Sequence, residues 1–61
     1  MGRLSKRELE VAGLAVRGKT NREIAEGLFV SVRTVQNHLQ NVYGKLGASN
    51  RDELARVFTP S

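Results

Sequence analysis

Sixty-one residues suffice for one domain with a small core, because a chain this short buries only about 60% of the surface its unfolded form exposes. Ten Lys and Arg against six Asp and Glu leave a formal charge of +4, which points to an anionic partner, and the absence of cysteine excludes disulfides and thiolate metal sites. No apolar run approaches the roughly 20 residues that cross a bilayer, and Met1-Gly2-Arg3-Leu4 lacks a signal peptide's apolar stretch, so a cytoplasmic chain off the membrane is expected.

The elements announce themselves by their caps. Ser5 followed by Glu8, Thr20 by Glu23 and Ser49 by Asp52 have the spacing of capping boxes, in which a hydroxyl and a carboxylate satisfy the free amides of a helix start. The first helix is expected over about 6–16, with Leu9, Ala12, Leu14, Ala15 and Val16 as a broad apolar face, Gly13 as a weak point and a stop near Gly18. A second, short helix over about 21–28 buries Ile24, Ala25 and Leu28, and Gly27 offers either a left-handed residue or close packing. Phe29 and Val30 then form a tight turn, expected to be tucked against the core.

The third helix, about 32–46, starts at Ser31, where Thr34 stands in the place an acid holds in the other caps; a carboxylate there would repel phosphate. Val32, Val35, Leu39, Val42 and Leu46 recur at spacings of three and four, with Tyr43 beside them, and Gly47 supplies the stop. The opposite arc carries Arg33, Thr34, Gln36, Asn37, Gln40, Asn41, Gly44 and Lys45. All six acids lie at Glu8, Glu10, Glu23, Glu26, Asp52 and Glu53, so the stretch from Gly27 to Arg51 holds no carboxylate while carrying Arg33, Lys45 and Arg51. The fourth helix is expected over about 50–58, with Leu54, Val57 and Phe58 on one side and Pro60 preventing continuation.

Two helices joined by a short turn, the second apolar inside and rich in amides outside, suit a helix that fills the major groove. Carboxamides pair in bidentate fashion with adenine, which makes Gln36, Asn37 and Gln40 the candidates for reading bases. Taken alone, three amides are more often a solvated helix face than a reading face. The surrounding pattern reverses that balance. Leu4-Ser-Lys-Arg-Glu-Leu-Glu-Val, Gly18-Lys-Thr-Asn-Arg-Glu-Ile-Ala, Ser31-Val-Arg-Thr-Val-Gln-Asn-His-Leu and Asn41-Val-Tyr-Gly-Lys-Leu-Gly stand in order at family spacing, and nearly the whole chain resembles the LuxR/GerE-type (NarL/FixJ-like) helix-turn-helix domain.

That resemblance implies an all-α, four-helix domain over 1–61 that binds double-stranded DNA in transcription regulation, and a chain this short is expected to be the C-terminal output domain of a larger regulator or else a stand-alone regulator of unusual brevity. It further implies a homodimer on an inverted-repeat site, with the fourth helix in the dimer contact. Carried over by position, the family's base contacts fall on Gln36, Asn37 and Gln40, and its phosphate contacts on Thr20, Asn21, Arg33, Thr34 and Lys45. Many relatives have lysine at the position of Gln36, so the reading chemistry here shifts from guanine toward adenine. Gly44 replaces a frequent basic residue, and either frays the last turn or lets phosphate approach closely.

Other residues have competing readings. His38 has no second histidine, cysteine or neighbouring carboxylate to make a metal site, and its readings are packing at the core's edge first and a phosphate contact second. Glu8 and Glu10 lie about 200° apart around one helix and do not converge as catalytic carboxylates. No nucleophile, base and orienting group can be assembled from this chain, so neither an enzyme nor a metal or cofactor is expected. Leu54 is assigned to the core, while Val57 and Phe58 remain open between core and dimer contact. A sigma-factor promoter-recognition domain is the near neighbour, less well matched by the third and fourth blocks. A helical protein-interaction or dimerisation module is the alternative from another class, with Val57, Phe58 and the amide face meeting protein.

Overall fold

Four helices, α1 (Lys6–Val16), α2 (Asn21–Leu28), α3 (Val32–Leu46) and α4 (Arg51–Val57), make up the all-α fold of the computed structural model, which describes residues 3–58. The starts of α1 and α2 are the capping boxes expected: Glu8 N–H donates to Ser5 Oγ at 3.2 Å and Ser5 N–H to Glu8 Oε1 at 2.9 Å, with the same exchange between Thr20 and Glu23. The start of α4 differs by one residue from the expected Ser49 and Asp52. Asn50 is the cap and accepts from Glu53 N–H at 2.9 Å, while the Glu53 carboxylate accepts from Ser49 N–H at 2.6 Å. Asn caps as well as Ser, and Glu reaches back where the shorter Asp52 does not. Asn50 and Phe58 therefore flank α4, and the stop assigned to Pro60 lies outside the described residues.

The core runs through all four helices: Val11, Ala12 and Ala15 from α1, Ile24 and Ala25 from α2, Val35, Leu39 and Val42 from α3, and Leu54 from α4, with Ala48 and Phe58. The α1 stripe is set differently from the expected face. Leu9 is 48% exposed, whereas Glu8, Val11, Ala12 and Ala15, which share about a 100° arc, are buried. A carboxylate occupies the first position of that stripe, which hides its register from a count of apolar residues alone. In α3 the expected stripe holds for Val35, Leu39 and Val42, with Leu46 packed partly against the core, but Val32 is 38% exposed. Val32 lies in the first turn, rotated about 40° from Gln36 toward the core and so at the stripe's margin.

The turn between α2 and α3 departs furthest from expectation. Gly27 is inside α2, where an added Cβ would meet nothing, and Phe29 takes the left-handed conformation with φ 58°. The amides of Phe29 and Val30 both donate to the Ala25 carbonyl, closing the helix, and Val30 packs against the core. Phe29 itself is 95% exposed. Its position in the turn reverses the chain so that Val30 turns inward and the Phe29 side chain turns out. A bulky residue in this conformation carries about 1–2 kcal/mol of steric cost that glycine does not. Phe29→Gly is therefore expected to raise stability by about 1 kcal/mol, read as a higher urea midpoint at unchanged slope; an unchanged or lower midpoint would contradict a strained turn.

Candidate nucleic-acid interface

Ser31 opens α3 with hydroxyl chemistry only. Its Oγ accepts from Thr34 N–H at 3.1 Å and lies 2.9 Å from Thr34 Oγ1, so no carboxylate offsets the positive end of this helix. From that start, Arg33, Gln36, Asn37, Gln40 and Gly44 fall within about 100° of one another around the axis, and all five are exposed. Thr34 is half-buried, held by its bond to Ser31. His38 is also half-buried. A Cβ at Gly44 would meet nothing, and the helix continues through it to Leu46.

An open groove of about 290 Å³ joins this face to the start of α2. Leu39 and Tyr43 line it together with Gln36 and Gln40 from α3, Asn21 from α2 and Arg51 from α4. The groove gathers residues expected to read bases and one expected to meet phosphate. Thr20 caps α2 at its outer edge with its hydroxyl engaged by Glu23 N–H, leaving it exposed beside Asn21. Arg51 was not among the candidate site residues, although it closes the carboxylate-free stretch. Its side chain donates to the Lys19 carbonyl and to Asn21 Oδ1.

Lys45 is paired within the fold. Its Nζ lies 2.7 Å from Glu8 Oε1 and 3.4 Å from the Arg3 carbonyl, joining the last turn of α3 to the cap of α1. The hydrogen bond from Lys45, followed by that from the Ser5 amide, holds the Glu8 carboxyl below the usual carboxylate range. The phosphate role expected of Lys45 therefore competes with an ion pair inside the fold. Of the two residues left open between core and dimer contact, Phe58 is in the core at 8% exposure, its amide closing α4 on the Leu54 carbonyl, while Val57 is 47% exposed. Among the described residues no helix is long and apolar enough to cross a membrane.

The family model described as bacterial regulatory proteins, luxR family, matches residues 2–58. The chain belongs to that family. Its luxR-type domain is 48% identical over 52 residues to the transcriptional regulatory protein LiaR of Bacillus subtilis, covering 85% of this chain and 25% of LiaR. It is 53% identical over 51 residues to the oxygen regulatory protein NreC of Staphylococcus aureus, covering 84% of this chain and 24% of NreC. The crystal structure of the response regulator ChrA, from a heme-sensing two-component system, superposes with a TM-score of 0.86 at 38% identity over 93% of this chain and 28% of ChrA. The chain thus spans about a quarter of the length of these relatives. As a luxR-family helix-turn-helix domain it is a DNA-binding module of transcription regulation.

Proposed function

We propose that the domain recognises a specific double-stranded sequence by laying α3 in the major groove, as the output domain of a longer response regulator working in the cytoplasm. Gln36, Asn37 and Gln40 read base edges. Thr20, Asn21, Arg33 and Thr34 hold the flanking phosphates, and Lys45 adds a phosphate contact only to the extent that it leaves Glu8. Two copies bind an inverted repeat, with the exposed Val57 of α4 in the contact between them. The observation that carries this reading is the exposed arc of α3: three carboxamides and an arginine on a helix whose start bears no carboxylate. A solvated face has no need to be free of acids, whereas a phosphate-facing one does.

Selection of bound duplexes from a random pool tests it directly, with an inverted repeat expected among the recovered sequences. Binding should weaken steeply with added salt, as counterions displaced by Arg33 and its neighbours return to the phosphates. Gln40→Ala should then relax the preference at one base pair of each half-site by about 1–3 kcal/mol. Equal loss of affinity for every sequence would instead assign Gln40 to the backbone. Failure to enrich any duplex, with salt-insensitive association to protein, would favour the interaction module.

A further inference from the structure

We infer that Arg51 is a positioning residue of the DNA interface, one that fixes which end of the Asn21 carboxamide faces the phosphate. The inference rests on the reading of Asn21 as a phosphate contact. Among the described residues α2 and α4 do not pack on one another; each packs on α1 and α3. Arg51, the first residue of α4, nevertheless reaches the start of α2. One guanidinium nitrogen donates to the Lys19 carbonyl and another to Asn21 Oδ1, thirty positions away in sequence.

The chemistry of the acceptor gives this bridge its consequence. A carboxamide presents an acceptor oxygen on one side and two N–H donors on the other, and only the donor side is attractive to phosphate. Because Asn21 Oδ1 is engaged by Arg51, the Nδ2 group is the end left for an anion. Without Arg51 the amide can turn, and in half of its settings it would present oxygen to phosphate. The planar fork suits this task, since it takes two acceptors in a fixed relation where an ammonium is a single point charge. Asn21 and Arg51 are both half-buried and line the groove that also holds Gln36 and Gln40, so the orientation is fixed beside the reading face.

Arg51→Lys tests the fork while keeping the charge. In the free protein, the Asn21 side-chain amide should lose its fixed orientation, seen as a fall in the NMR order parameter of its Nδ2 group, with little change in thermal midpoint. On the selected duplex, Arg51→Lys should weaken binding about five- to tenfold, but less than twofold when Asn21 is already Ala. Equal losses in the two backgrounds, or an Asn21 amide that stays ordered in Arg51→Lys, would overturn the inference. Asn21→Asp supplies a variant that keeps the acceptor for Arg51: it should fold at least as stably as the parent and still lose DNA affinity, and a loss of stability would count against the bridge. The free-protein measurements need no duplex, so failure to bind any DNA would sink the proposed function without deciding the role of Arg51.

Discussion

Leu54→Ala is expected to remove about half of the domain's stability and to lower its thermal midpoint sharply. α4 has seven residues, too few to be helical alone, so it exists through packing. Leu54 is fully buried at the junction of α4 with the rest of the core, and truncating a leucine in such a site costs about 2–5 kcal/mol. A domain of this size holds roughly 3–9 kcal/mol in all, so the loss is about half of what is available. Thermal unfolding followed by circular dichroism should show the midpoint collapse for Leu54→Ala and barely move for Val57→Ala, whose side chain is half exposed. Survival of a cooperative transition near the parent midpoint would mean that α1, α2 and α3 fold without α4. The groove would then open as well, because Arg51 enters it from the first residue of α4.

The second large effect falls on Glu8. Its carboxylate accepts from the Ser5 amide, caps α1, and meets Lys45 at the end of α3. Both the Glu8 and Glu23 carboxyls lie below their ordinary value in the folded chain, Glu8 mainly through the Lys45 hydrogen bond and Glu23 mainly through the Thr20 amide. A depressed carboxyl stabilises the fold above its unfolded value, about 4.3, and that contribution is lost as the pH falls through the lower folded value. Stability should therefore decline as the solution is acidified below about pH 4.3. Glu8→Gln mimics the protonated acid. It should be less stable than the parent at neutral pH, and the two should converge in acid. Urea unfolding at both pH values checks this, and a difference that persists undiminished in acid would show that the charge of Glu8 is not what matters.

Much of this fold is legible in the sequence because helix starts are local chemistry. Ser5 with Glu8, and Thr20 with Glu23, need no tertiary information to be recognised, and the period of α3 follows from Val35, Leu39 and Val42 alone. What escapes depends on partners distant in the chain. Glu8 sits in the buried stripe of α1 because Lys45 lies opposite it, so a reading that treats acids as surface residues turns the helix toward Leu9. Phe29 looks like core by composition, yet the chain reversal fixes its backbone in a conformation that points it outward. Ser49 and Asn50 are both good caps, and only the reach of Glu53 decides between them. Arg51 is visible as the cation that closes the carboxylate-free stretch, but its bond to Asn21 depends on how α4 docks.

The caps of the four helices also divide the labour between folding and binding. α1, α2 and α4 each begin with a carboxylate returned to the backbone, whereas α3 begins with two hydroxyls and nothing negative. A library screened for folding alone would drift toward an acid at Thr34, since that is a ready source of added stability. The same library screened for binding would keep drifting back. The one cap among the described residues without a carboxylate is thus where selection for durability and selection for recognition pull in opposite directions, and a stabilised version of this domain is best sought away from this helix start.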